Sequence, residues 1–353
     1  MFLRLVVFHA VKEHAVLNAA IYICLHLLYS GRFANQYECG KTIKIHNIKT
    51  MKEYKTLTSV KTASTIRLKW LDIARGLAFL MVIYSHIKYR DDMVMRYFSP
   101  MFLTMFFFVS GYLFKENCSF LKVFEQRTRT LLLPFLTLGG VMILLSNILT
   151  LNEKVPLSDE IKGLLFQNGH NQLLWFIAAL YVYSLVFYWI ERFCSAVNTL
   201  MAVCSLLFIV NVIYSYWLEG PGLPWHIMGS GYACFYMALG KFYKHHEEKI
   251  DALFGWRSLL LTAVVYIGFI TVTGISCSFS GSRYVVDSAA LSIMSLILGV
   301  AVSKRFFQNS RFMLFVGANT LFYFAFHGKG YSLLQTVAEK AMSVMSIDHT
   351  FLY

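Results

Sequence analysis

Apolar runs long enough to cross a bilayer recur along almost the whole chain after residue 70, and this constrains the fold more than any other feature. They lie near residues 71–88, 97–114, 131–150, 173–190, 198–216, 226–243, 258–275, 284–302 and 312–327, several of them interrupted by a Gly or a polar residue. A tenth and weaker run, from Tyr331 to Ile347, carries Glu339 and Lys340. A soluble domain has no use for so much apolar length, because about twenty apolar residues already match the hydrocarbon thickness. Hydrophobic residues make up 57% of the 353 and charged ones only 14%, with a mean hydropathy of +0.56. The expected fold is all-α, a polytopic transmembrane helical bundle of about nine to ten helices.

The net charge of +13 is explained by topology. Placing the segment before residue 70 in the cytoplasm puts Lys115 to Arg129, Lys241 to Arg257 and Lys304 to Arg311 inside. Leu151 to Gln172 and Trp217 to Trp225, acidic or nearly uncharged, then fall outside, so every second loop is basic as the positive-inside rule requires. A nucleic-acid role is excluded on this ground, and the expected location is the inner (plasma) membrane, multi-pass, with the N-terminal side cytoplasmic.

Residues 1–66 read as a basic N-terminal extension. Ala15 to Ser30 is apolar but short, Lys12, Glu13 and His14 precede it, and no small-residue cleavage site follows, so it is not a signal peptide. One hypothesis is that translation starts naturally at Met51, which native mass spectrometry would refute by finding any peptide before it. Residues 67–353 form the transmembrane domain. The seven cysteines are scattered, with neither a zinc spacing nor a disulfide framework, and no metal is expected.

Within the first strong run, Arg75 and His86 are eleven residues apart. In a helix they differ by about 20° around the axis and roughly 16 Å along it, about half a bilayer. Intramembrane ionisable groups are costly, and their default reading is a functional site facing the protein interior. Asp72 lies one turn before Arg75 and can orient it through an i,i+3 contact. The bland alternative is a structural ion pair at the headgroup boundary with an interfacial histidine at the far end.

A series of short strings carries a resemblance: Asp72-x-x-Arg75-Gly76 with the Arg-x10-His spacing ending at His86, then Met105 to Phe114 running into Ser110-Gly111-Tyr112. Phe124-Glu-Gln-Arg127-Thr-Arg129 leads to Leu133-Pro134, and Leu174-Trp175-Phe176-Ile177 follows. Leu223-Pro-Trp225 leading to Gly240-Lys241, and Gly317-Ala-Asn319-Thr-Leu321 leading to Tyr323 and His327, complete the order. Over residues 67–330 the chain resembles the acyltransferase 3 family of integral-membrane O-acyltransferases, and within it the fucose 4-O-acetylase-like branch.

The resemblance implies transfer of an acyl group, acetyl above all, from acetyl-CoA (acyl-CoA) as co-substrate, with no bound cofactor, to a sugar hydroxyl of a cell-surface polysaccharide or its lipid-linked precursor. His86 is the candidate base, since imidazole titrates nearest neutral pH. Arg75 is the candidate for the phosphates of coenzyme A, with Arg127 and Arg129 completing a basic collar or serving only as positive-inside residues. Trp175, His327, Tyr323 and Asn319 are candidate substrate contacts. Two departures stand out. The arginines before Pro134 are two apart rather than three, and the chain ends 26 residues after His327, so a truncated C-terminus is expected. The expected partners are a glycan or lipid-linked sugar acceptor, the lipid bilayer and polysaccharide-assembly proteins. The rival from another class is a transporter or flippase of a sugar or charged substrate that uses the same buried Arg and His.

Overall fold

The computed structural model describes residues 68–86, 91–149, 156–166, 174–194, 196–217, 224–274 and 285–327. The N-terminal extension and the tenth apolar run lie outside them. Among the described residues helix dominates and no strand occurs.

The expected runs appear as helices. The first is α1 (Lys69–Ser85). The second is split into α2 (Asp92–Phe98) and α3 (Phe102–Tyr112), with Pro100 at the break, where a residue without an N–H cannot continue the ladder. The Asp91 carboxylate accepts the Met93 amide at 2.7 Å and so caps α2. In the third, α4 (Phe120–Arg127) passes through one π-turn (Thr128–Leu132) into α5 (Leu133–Leu149). Pro134 accounts for that turn, because it has no N–H to offer the Thr130 carbonyl and the ladder widens by one residue to step past it.

A short helix, α6 (Leu157–Phe166), follows, and then α7 (Trp175–Phe193) and α8 (Val197–Trp217). The tight turn Pro224–Gly229 leads into α9 (Ser230–His245) and the short α10 (Glu247–Leu253). Next come α11 (Trp256–Thr273), stopped by left-handed Gly274, and α12 (Val285–Arg305). The last run divides at Asn319 into α13 (Arg311–Ala318) and a helical stretch over residues 320–327, α14.

Among the described residues, five stretches are long and apolar enough to cross a membrane: α2 with α3, the stretch from α4 into α5, α7, α8 and α11. Three of the other expected runs have a local reason to fall short of that length. Seventeen-residue α1 carries Asp72 and Arg75, sixteen-residue α9 carries Lys241 and Lys244, and the α13–α14 run is broken.

At the centre α9 packs on α3 and α8, while α1 packs on α13. Association in lipid depends on close contact rather than on expelling water, so small residues mark these crossings. A methyl on Gly111 would meet the Met237 carbonyl at 1.9 Å, and one on Gly240 would meet the Phe108 carbonyl at 2.0 Å. Ser110-Gly111 therefore serves helix packing. Phe79, Phe107, Tyr183, Phe187 and Tyr236 fill the core, whereas Leu206 and Ile213 on α8 and Leu260, Leu261 and Val272 on α11 face outward, as apolar side chains do toward acyl chains.

Alternating chain direction brings the start of α1 together with the ends of α3, α7, α9 and α12. There the Lys304 ammonium donates to Tyr243 at 2.7 Å and to Asp251 at 2.7 Å, and it pairs with Glu247. It also lies 4.9 Å above the Trp70 ring. Tyr112 donates to Glu247, which draws α3 into the same network. Buried Lys241 donates to Glu191 at 2.6 Å and also approaches Glu116. These two clusters tie six helices, the short α10 among them, at one end of the bundle. In the sequence Lys304 stands out only as a member of a basic loop, and Lys241 only as that and as the end of the Gly240-Lys241 string; neither spacing announces an ion pair.

Candidate active site

The two ends of α1 hold the two groups that the spacing predicted. At its start, Asp72 is almost fully buried and forms the ion pair with Arg75 expected one turn later. Close backbone packing fixes this turn. A methyl on Gly76 would meet the Met313 carbonyl at 2.8 Å, and one on Gly317 the Asp72 carbonyl at 1.7 Å. The Arg75 side chain remains 30% exposed, but its Nε is buried and has no hydrogen-bond partner among the described residues. A guanidinium nitrogen without an acceptor is costly, and a phosphate or carboxylate oxygen is its natural complement.

At the other end, His86 closes α1 with its ring open to solvent, and His327 on α14 lies behind it. The ring centroids are 4.8 Å apart with planes at 52°. His327 is held edge-on against Phe324 at 5.5 Å and Phe79 at 6.3 Å. Its Nδ1 bonds the Phe324 carbonyl at 2.8 Å, and since a carbonyl only accepts, this nitrogen carries the hydrogen. The Nε2 atom is buried without a partner among the described residues.

The remaining sequence candidates divide. Tyr323 stacks on Phe79 at 5.9 Å and belongs to the same aromatic wall. Trp175, at the start of α7, touches Phe176 at 5.9 Å, and Phe176 stacks on Phe324 at 5.3 Å, so two rings stand between Trp175 and His327. Asn319 instead donates its amide to the Phe315 carbonyl at 2.8 Å and closes the α13 helix.

Arg127 and Arg129 part company. The Arg127 guanidinium lies 5.6 Å over the Phe114 ring, while Arg129 is exposed and pairs with exposed Glu125 at 2.7 Å. Two residues are about 200° of helix, so the two side chains leave opposite faces.

His226 was not singled out by the sequence reading, although Leu223-Pro-Trp225 immediately precedes it. Trp225 and His226 have φ of 58° and 51°, both in the left-handed region that non-glycine residues avoid. The turn is held by side chains that reach in from the helices. Tyr183 donates to the His226 carbonyl at 2.7 Å, and the Trp225 indole donates to the Leu165 carbonyl. The His226 ring rests 4.7 Å from Trp175, and partial burial lowers its affinity for a proton.

The family profile for an acyltransferase domain matches residues 68–351, nearly the whole of the chain after the extension. The chain belongs to the acyltransferase 3 family. It is a membrane acyltransferase, and the six ordered strings from Asp72 to His327 fall inside the matched span. No curated protein and no solved structure matches it.

Proposed function

We propose that this acyltransferase moves an acetyl group from acetyl-CoA to a hydroxyl of a cell-surface sugar or its lipid-linked precursor, as in the fucose 4-O-acetylase-like branch. The observation that carries this reading is the division of labour along α1. A half-buried cation whose Nε donor is buried and unpaired among the described residues stands at one end, and a solvent-open imidazole at the other.

Arg75, steadied by Asp72, binds the phosphates of coenzyme A on the cytoplasmic side, and its fork geometry suits a phosphate better than an ammonium would. Arg127, close by the start of α5 and bent over Phe114, guards the same side, whereas Arg129 serves the positive-inside pattern. The cytoplasmic assignment of this end rests on Lys241, Lys244, Lys304 and Arg305 gathering there. The location is the plasma membrane.

His86 takes the proton from the acceptor hydroxyl as its oxygen attacks the thioester carbonyl. The carbon–sulfur bond breaks, and the departing thiolate recovers a proton from the imidazolium. Trp175 and Tyr323 offer ring faces on which a sugar can stack.

The test compares acetyl esters on surface glycans from cells with the wild-type chain, with none, and with His86→Ala, by proton NMR and sugar-resolved mass spectrometry. Loss of the ester from both altered strains while the glycan still reaches the surface supports transfer. Full ester content with His86→Ala rejects the mechanism, and loss of the glycan itself favours the flippase.

A further inference from the structure

The pair of rings at the end of α1 is asymmetric, and the asymmetry assigns different work to each. His86 is open to solvent and able to meet a hydroxyl, whereas His327 stands behind it, with both ring nitrogens removed from water or committed. We propose that His327 is the positioning residue of the base: its Nε2 lone pair accepts an N–H from His86 and so fixes which nitrogen of His86 faces the acceptor. This rests on the reading of His86 as the base.

The first step of the argument is the tautomer. The Phe324 carbonyl holds the hydrogen of His327 on Nδ1, so in the neutral ring Nε2 must be an acceptor. The second is need. That Nε2 is buried and has no partner among the described residues, and a buried acceptor left unmade costs free energy that a donor from the adjacent ring removes. The third is reach, because centroids 4.8 Å apart bring the edges of two five-membered rings to hydrogen-bonding range after a small tilt. Bonds of this kind often close only when substrate binds.

The fourth step is rigidity. His327 is wedged between Phe79 and Phe324, and Phe79 is itself fully buried on α1, so helix packing sets the direction of the lone pair. A nucleophile's base oriented by a third group is a recurring arrangement in acyl transfer. Here the third group is neutral, which suits a site at the membrane edge where a second carboxylate would be costly to bury.

Chemically, the acceptor hydroxyl gives its proton to the outward nitrogen of His86 while the opposite N–H stays bonded to His327. The positive charge that develops on His86 is shared through that bond. When the carbon–sulfur bond breaks, the proton on the outward nitrogen goes to the coenzyme A thiolate, and both rings return to their starting state.

Two substitutions separate this role from packing. His327→Phe keeps an aromatic ring in the Phe79–Phe324 wedge and removes the acceptor. His327→Gln loses the ring but places an amide oxygen near the position of Nε2. The readout is thiol release from acetyl-CoA in native membrane vesicles that carry the endogenous acceptor, corrected for vesicles without the protein. His86→Ala is assayed alongside, and expression and detergent melting are checked for each chain.

We expect His327→Phe to lower the maximal rate roughly a hundredfold, the low end of what general-base catalysis contributes, and to leave the apparent KM for acetyl-CoA within about threefold. His327→Gln should recover at least about a tenth of the wild-type rate. A Phe variant at full rate, or equal losses in the Phe and Gln variants, overturns the positioning role while an inactive His86→Ala leaves the base assignment standing. An active His86→Ala overturns both.

Discussion

Gly317 on α13 lies directly against the backbone of Asp72 on α1, so close that a methyl group would sit 1.7 Å from the Asp72 carbonyl oxygen. The obstacle is main chain, which cannot rotate away as a side chain would. Gly317→Ala should therefore push α13 off α1 at the turn that carries Asp72 and Arg75. The expected cost is about 1–3 kcal/mol of stability, typical of overpacking, together with a raised apparent KM for acyl-CoA. Gly140→Ala is the control, since a methyl there meets nothing within 4 Å. Melting in detergent and thiol-release kinetics of the two variants check this, and equal behaviour would show that the crossing tolerates separation.

Arg75→Lys keeps the charge and removes the fork. Its ion pair with Asp72 can re-form, but the buried Nε donor disappears along with planar recognition of phosphate. The apparent KM for acyl-CoA should rise roughly tenfold, equivalent to about 1.4 kcal/mol of binding, with a smaller change in maximal rate. Asp72→Asn should move the same parameter in the same direction by releasing the guanidinium. An unchanged KM in both variants would separate Arg75 from the donor.

Much of this was legible in the sequence because its signals were local. The Arg75–His86 spacing, the Asp72 contact one turn away and the order of the apolar runs each depend on neighbours along one helix. Gly111 and Gly240 stood in the matched strings, but the helices that each lies against were not legible there. What the sequence could not supply was the meeting of distant helices. His327 stands beside His86 only because Phe79 and Phe324 interlock, and Lys304 finds Glu247 and Asp251 only because alternate helices end on one side. His226 was hidden for a further reason: its position depends on two consecutive left-handed residues held by Tyr183, and no composition rule anticipates a Trp-His pair in that conformation.

The turn Pro224–Gly229 should loosen in acid. Burial lowers the proton affinity of His226 in the folded chain, so the unfolded segment binds the proton more readily. Its contribution to stability is complete above the ordinary imidazole value of about 6.5 and is lost as pH falls through the lower folded value. Amide hydrogen exchange over residues 224–229 should accordingly quicken below that pH, beyond the intrinsic pH trend. His226→Asn removes the titration and suits a positive φ, because asparagine tolerates the left-handed region. The variant should lose the extra acceleration, and its persistence would assign the effect to another group.

The most severe stability loss is expected at Lys241. Its side chain is 7% exposed and its partner Glu191 17%, so Lys241→Met would leave a mostly buried carboxylate without its cation. Glu116, at 3.4 Å but 60% exposed, can turn to water, whereas Glu191 at the end of α7 is less able to follow. Breaking such a pair from one side costs about 3 kcal/mol or more, while replacing both partners with neutral groups is often close to neutral. Lys241→Met alone should lower the detergent melting midpoint and the yield of folded protein, and adding Glu191→Gln should restore most of both. If the double variant is no better than the single one, the lysine's role lies in packing its aliphatic stem between α7 and α9 and the charge pair contributes little.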